Sequence, residues 1–307
     1  MSKVIAIFCS DLHLSSTPPI ARSAEPDWWG AQKRILDQLY NLESEYQCSI
    51  ICAGDIFDKW NCSPELINWA IENLPEMIAI PGQHDLPLHR YEDVRKSAYY
   101  SMVLCNRICP LEERPFSPRR DNLWLSGFPW GFEVKPPNYD NELKKLSVAI
   151  IHKYIWISKH NYPNAPEEDR LLNFGNCLSG YDIAIFGDNH SGFLTRLGKT
   201  QVLNCGCLIP RKLDERYYKP AVGLLHEDGK ITRHYLDTSQ DKWIENEEEE
   251  MRLFKGGAKL AEFIEELKSI EGESLDFCDA VRRYIGSHKV CNSVKRILLE
   301  EIEGGMK

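Results

Sequence analysis

Carboxylates and imidazoles that could bind a metal gather at a few points of the sequence. Asp11 and His13 are one residue apart, and Asp55 follows Gly54. Gln83, His84 and Asp85 are consecutive after Gly82. His152 stands by itself, and Asp188 and His190 are again one residue apart. Each group follows a short apolar run. One Asp-x-His pair is usually a surface turn or a satisfied polar pair, a lone Gly-Asp says still less, and His152 alone reads equally as a buried histidine. Five groups in chain order, each where an apolar run ends, point instead to one site, because ligands of open α/β sheets bind beyond the carboxyl ends of the strands. The donors are oxygen and nitrogen with no thiolate, a set that suits Mn²⁺, Fe²⁺, Zn²⁺ or Mg²⁺ better than a soft metal.

The elements needed to position these groups are legible. Residues 3–10, 48–53 and 77–80 read as buried strands, the second ending at Gly54-Asp55 and the third at Pro81-Gly82. Between them, residues 30–46 carry apolar side chains at helical spacing (Ile35, Leu36, Leu39, Leu42), and 64–74 do the same behind Pro64. Alternation of strand and helix implies a largely parallel, helix-covered sheet. Residues 94–105 read as a short helix and 110–122 as a Pro- and Arg-rich loop. Strands follow at 123–128, 147–151 and 181–186, the last two ending at His152 and Gly187-Asp188. Shorter strands at 193–197, 200–205, 221–226 and 231–236 suggest a second, more antiparallel sheet facing the first. The chain then changes character, dividing it into a catalytic domain over 1–238 and a helical region over 239–307. That region opens with a run from Glu247 to Glu250, which reads as a solvated linker, and continues past Gly256-Gly257 into helical patterns at 258–270, 275–286 and 291–303.

Composition narrows the class. The 307 residues are 43% hydrophobic and 27% charged, which excludes full-chain disorder and collagen. No apolar run approaches the roughly 18 residues of a membrane span, and the first residues reach Asp11 too soon for a signal peptide. Eleven cysteines without paired Cys-x2-Cys hooks argue against a zinc knuckle and for a reducing compartment. The expected location is cytoplasmic. A net charge of -9 argues against a broad DNA-coating surface, yet it says little about a single cleft.

Taken in order, the groups resemble the calcineurin-like metallophosphoesterases, whose pattern runs Asp-x-His, Gly-Asp, Gly-Asn-His-Asp or -Glu, His, and Gly-His-x-His. Here it stands as Asp11-Leu12-His13, Gly54-Asp55, Gly82-Gln83-His84-Asp85, His152 and Gly187-Asp188-Asn189-His190, and the likeness spans about residues 3 to 236. The resemblance implies a four-layer α/β/β/α sandwich of two mixed sheets with a small helical C-terminal appendage. It also implies two divalent ions, Mn²⁺ foremost, with Mg²⁺, Fe²⁺ or Zn²⁺ as alternatives. Asp11, His13, Asp55 and His190 would hold one ion, and Asp55, Gln83, His152 and Asp188 the other, with Asp55 bridging. His84 would be the histidine that contacts the phosphate and protonates the leaving oxygen, and Asp85 would orient it. Two positions depart. Gln83 replaces Asn and reaches one methylene further; Asp188 replaces His and adds negative charge. Both point to a harder ion at the second position, or to a more weakly held one.

The segments Gly82-Gln83-His84-Asp85-Leu86-Pro87 and Val202 to Arg211 resemble the nuclease subunit of SbcD-type DNA repair complexes, particularly phage-encoded relatives. That likeness implies DNA as substrate, an SbcC-like ABC-type ATPase as partner, docked on C-terminal helices, and a homodimer. The stripe Leu260, Phe263, Ile264 and Leu267, with Leu253 and Phe254 before it, offers a docking face or packs back on the core. Arg90, Lys153 and Arg211 are the candidate substrate contacts. They belong to clusters of cations and rings that include Lys59-Trp60, Arg95-Lys96 and Arg119-Arg120, and each cluster taken alone reads as ordinary surface charge. Two rival functions stand beside the nuclease: a phosphatase or phosphodiesterase for nucleotides or other small phosphate esters, and a catalytically silent subunit that binds DNA or an ATPase.

Overall fold

A computed structural model describes residues 2–113, 116–118, 122–137, 145–157 and 165–245. The tail helices expected after residue 250, with Leu253, Phe254, Leu260, Phe263, Ile264 and Leu267, lie outside the described residues, as do Arg119, Arg120 and Glu247 to Glu250. The chain divides into two compact units, Met1–Ile244 and Glu245–Lys307. The first extends to Ile244 because side chains of the amino-terminal half hold residues 237–244. Gln38 Nε2 donates to the Asp237 carbonyl at 3.0 Å, the buried Arg22 pairs with Asp241 at 3.0 Å, and Ile244 N donates to the Ala21 carbonyl at 3.1 Å. Among the described residues, no helix is long and apolar enough to cross a membrane.

The first sheet begins with β1 (Val4–Cys9), β2 (Ser49–Cys52), β3 (Met77–Ala79) and β4 (Ile108–Pro110), all parallel. Its connections are α1 (Trp28–Tyr46), α2 (Pro64–Asn73) and α3 (Ala98–Leu104). Capping chemistry sets where the helices start. The Asp27 carboxylate accepts the Gly30 N–H at 2.9 Å, Ser63 Oγ accepts that of Leu66 at 3.2 Å ahead of Pro64, and Ser97 Oγ accepts that of Tyr100 at 3.2 Å. Each such cap stabilises its helix by about 1 kcal/mol.

The second sheet contains β5 (Leu123–Phe128), β6 (Leu146–His152), β7 (Ile183–Gly187), β8 (Phe193–Leu197) and β9 (Thr200–Asn204), in the order β5-β6-β7-β9-β8. Only β8 runs antiparallel to its neighbour. The expectation of a more antiparallel second sheet is corrected here. The last two strands, β10 (Ala221–His226) and β11 (Ile231–Tyr235), return to the first sheet, where β10 pairs antiparallel with β1. Alternation along a strand says which face is buried; the partner is chosen by which edge remains open, and the β1 edge was open.

Burial on both faces explains the continuous apolar runs. In β1, Ile7 and Cys9 face the helices, while Ala6 and Phe8 face the other sheet. The layer between the sheets joins Phe8, Ile51, Ile78 and Ile80 to Leu125, Val148, Ile150, Ile185 and Leu203. On the far side of the second sheet, Phe174 and Leu171 cover Phe186 and Ile151 from the short 3₁₀ turn Leu171–Phe174. Two packed layers therefore present the carboxyl ends of their parallel strands at one rim.

Candidate metal centre

At that rim the loops after β1 and β2 are bonded to each other. Ala53 N donates to the Cys9 carbonyl at 2.8 Å, Asp11 N to Gly54 at 3.0 Å and His13 N to Asp55 at 3.0 Å. This ladder sets Asp11 and His13 beside Asp55. From the second sheet, His152 ends β6 in register with Gly187, so Asp188 follows one residue beyond. Asp188 N then donates to both carboxylate oxygens of Asp11, at 3.1 and 3.2 Å. Four of these residues have left-handed backbones: Asp11 (φ 55°), His13 (φ 48°), Asp55 (φ 53°) and Asp188 (φ 81°). Non-glycine residues rarely adopt that conformation, and such strain concentrates at functional sites.

The side chains converge. His13 Nε2 and His190 Nε2 face each other at 3.2 Å, with Asp11 Oδ1 at 3.7 and 3.9 Å from them. Asp55 Oδ2 lies 3.8 Å from His13 Nε2 and 3.4 Å from His152 Nε2, a position between two donor groups. One group is Asp11, His13 and His190; the other is Asp11, Asp55 and His152. Gln83 and Asp188 extend the second, joined by a hydrogen bond from Gln83 Nε2 to Asp188 Oδ1 at 2.7 Å.

These residues fit a pair of cations. Asp55 Oδ2, Gln83 Oε1 and His152 Nε2 are buried atoms without a hydrogen-bond partner, and Asp55 Oδ2 and His152 Nε2 lie 3.4 Å apart. A buried polar atom left unsatisfied costs about 1–3 kcal/mol, which a metal would offset. His152 Nδ1 donates to the Ala53 carbonyl at 2.5 Å, which leaves Nε2 as its lone-pair nitrogen. The electrostatics agree. Burial pushes the Asp11 carboxyl up, but His13, His152 and His190 hold it below its usual range. Burial pushes the His152 imidazole down, but Asp55, Asp11 and Asp188 raise it well above its ordinary value. The carboxylates that raise it make the pocket negative, and a negative pocket attracts divalent cations on the same grounds.

His84 and Asp85 take different places. His84 is exposed, its Nδ1 donates to the Asp58 carbonyl at 2.8 Å, and its ring sits edge-on to His13 at 4.9 Å. Asp85 is buried and accepts the N–H groups of Ile56, Phe57 and Gly82 at 3.2, 3.0 and 3.0 Å. The expectation that Asp85 orients His84 is corrected: the Asp58 carbonyl holds that ring, and Asp85 ties two strand-end loops together. Of the three candidate substrate contacts, only Arg211 reaches the centre. It donates to the His13 carbonyl at 2.6 Å and pairs with Asp58 at 3.0 Å. Arg90 is exposed and pairs with Asp93, and Lys153 is exposed with Asp169 at 3.8 Å.

One participant was missing from the sequence reading. Glu215 accepts the His190 Nδ1–H at 2.7 Å and the N–H groups of Arg211 and Lys212 at 2.7 and 3.1 Å. Burial raises its carboxyl, but His190 and those two N–H groups pull it down to about 2. Nothing local marked it, since Asp214 beside it is an equally plain acid on an exposed turn.

This geometry, two mixed sheets with a negative N/O-donor cluster at their carboxyl rim, defines a metal-dependent α/β hydrolase. The profile of the calcineurin-like phosphoesterase family matches residues 6–192, more than half of the chain, and the chain belongs to that family. It is thus a metal-dependent phosphoester hydrolase of a dinuclear family, with candidate metal-binding groups in place. Comparison with curated proteins finds no match. Among solved structures, an archaeal phosphodiesterase is similar at 12% identity and a TM-score of 0.40, over 75% of this chain and 99% of that one. The sulfate thiohydrolase SoxB of Thermus thermophilus, in complex with glycerol, is similar at 12% identity and a TM-score of 0.44, over 87% of this chain and 62% of that one.

Proposed function

We propose that this phosphoesterase is a DNA exo- or endonuclease of the SbcD type, working in DNA repair, recombination or replication. The observation that carries this reading concerns Val202 to Arg211, the segment whose sequence resembles those nucleases. It closes directly onto the centre: Cys207 N donates to the His190 carbonyl at 3.2 Å, Leu208 N to that of Asp11 at 3.2 Å, and Arg211 to that of His13 at 2.6 Å. The resembling residues thus help to build the site rather than lie on a remote surface. An exposed His84 also suits a polymeric substrate that approaches from solvent.

In this reading Asp11, His13, Asp55 and His190 would hold one divalent ion, and Asp55, Gln83, His152 and Asp188 the other, with Mn²⁺ the expected ion. Two such ions neutralise a phosphodiester and make a nucleophile from water at neutral pH. Asp55 could serve both sets, since its Oδ2 lies 3.8 Å from His13 Nε2 and 3.4 Å from His152 Nε2. His84, held through its Nδ1–H by the Asp58 carbonyl, would present Nε2 to the leaving oxygen and, as the doubly protonated imidazolium, would donate the Nε2 proton to it. The ABC-type ATPase partner and the homodimer rest on the sequence resemblance, and the cytoplasmic location on the cysteine usage.

The test is hydrolysis of a panel across Mn²⁺, Mg²⁺, Zn²⁺ and Ni²⁺: single- and double-stranded DNA, RNA, nucleotides and a chromogenic diester. DNA cleavage with Mn²⁺, lost on chelation and restored by the ion, is expected. Rapid turnover of a mononucleotide or small diester with DNA left intact overturns the nuclease reading. His84→Ala is expected to lower turnover about 10²–10⁴-fold with metal content near wild type. Loss of both ions in that variant shows that His84 has another role.

A further inference from the structure

The two positions that depart from the family pattern are in contact with each other. Gln83 and Asp188 lie 105 residues apart in sequence, yet Gln83 Nε2 donates to Asp188 Oδ1 at 2.7 Å. Gln83 Oε1 is buried and has no hydrogen-bond partner. A glutamine amide has one more rotatable bond than an asparagine amide, so it needs an anchor to hold its oxygen in one place. The Asp188 carboxylate supplies one, since it only accepts. Reversing the amide would set oxygen against carboxylate, so chemistry fixes which end faces inward. Asp188 is itself fixed, by its left-handed backbone (φ 81°) and by its N–H on the Asp11 carboxylate. One of its oxygens is taken by Gln83, and the other is left to serve a cation.

We infer that Gln83 and Asp188 act as one unit, a joint replacement of the Asn and His of the family, and that this unit sets the ion selectivity of the second metal position. The inference rests on the metal-ligand reading proposed above. The donors there become three oxygen-bearing side chains, Asp55, Gln83 and Asp188, with the single imidazole of His152. Oxygen-rich sets favour Mn²⁺ and Mg²⁺, whereas a second imidazole favours Zn²⁺. Each change alone breaks the unit. With Asp188→His the longer amide loses its carboxylate anchor. With Gln83→Asn the amide falls one methylene short of Asp188.

The experiment is metal binding by the full chain, with stoichiometry from elemental analysis and affinities for Mn²⁺ and Zn²⁺ from calorimetry. It compares wild type, Gln83→Asn, Asp188→His and the double variant. Each single variant is expected to lose second-ion Mn²⁺ affinity by roughly tenfold or more, the scale seen when a partner of a metal ligand is removed. The double variant is expected to bind two ions with a smaller loss than the product of the single losses, and with its Zn²⁺ to Mn²⁺ affinity ratio raised about tenfold. Single losses that multiply in the double variant, or an unchanged ratio, overturn the inference while leaving two bound ions intact. A wild-type chain that binds fewer than two ions instead overturns the metal-ligand reading beneath it. Retention of the first ion reports folding, and if Asp188→His does not fold, Gln83→Asn alone decides: an unchanged second-ion affinity refutes the unit and a tenfold loss supports it.

Discussion

Glu215 and His190 are joined by a 2.7 Å hydrogen bond from imidazole Nδ1 to carboxylate. The other carboxylate oxygen takes the N–H groups of Arg211 and Lys212, so the short turn Leu213–Glu215 fastens a candidate metal ligand to the loop behind it. With Nδ1 carrying the proton, the His190 lone pair falls on Nε2, which faces His13 at 3.2 Å.

Glu215→Ala is therefore expected to weaken metal binding about 10–100-fold, the usual cost of removing a carboxylate behind a ligating histidine. Glu215→Gln keeps an acceptor for Nδ1–H but loses the charge, and it should fall between the two. Calorimetric titration with Mn²⁺ measures both. An alanine variant that binds like wild type shows that Glu215 only closes the turn.

Asp85 predicts a stability effect. Its buried carboxylate accepts three backbone N–H groups, from Ile56, Phe57 and Gly82. Asp85→Ala strands all three donors. At about 1–3 kcal/mol for each buried unsatisfied donor, and with some relaxation, a loss of about 3 kcal/mol is expected. Urea unfolding of the two proteins reads it, and a difference under about 1 kcal/mol contradicts the role assigned here.

Gly82 predicts an effect on geometry. A Cβ there would sit 2.1 Å from Asp55 Oδ1 and 2.6 Å from Asp55 N, so the Asp55 carboxylate has to move. Displacements of about 1 Å can cost 10²-fold in rate. Gly82→Ala should lower kcat/KM by about that factor and weaken metal binding. Gly175→Ala is the control, because its nearest neighbour is the Leu172 carbonyl at 3.9 Å and no positive φ is needed. A Gly82→Ala protein with full metal content and rate refutes the close approach.

Reading the strands from sequence succeeded where burial on both faces leaves an uninterrupted apolar run, as in β1, β2, β6 and β7. It failed at β10 and β11, which were assigned to the second sheet, because alternation within a strand carries no information about the neighbour. Sequence offered Arg211 as a candidate substrate contact, and the structure sets its guanidinium against the His13 carbonyl and Asp58. A cation beside a glycine turn looks the same in sequence whether it faces solvent or braces a loop.

Sequence by itself determined the candidate donors and their order: Asp11, His13, Asp55, Gln83, His152, Asp188 and His190, each placed where a strand had to end. Their chemistry is a property of residue type, and strand ends are marked by local pattern. Only the tertiary structure decided which donors meet. It set Asp55 Oδ2 between His13 and His152, put Glu215 behind His190, gave Asp85 to the backbone rather than to His84, and joined Gln83 to Asp188. Those relationships cross between loops far apart in the chain. They depend on sheet register and on the packing of one sheet against the other, and no short window of residues encodes either.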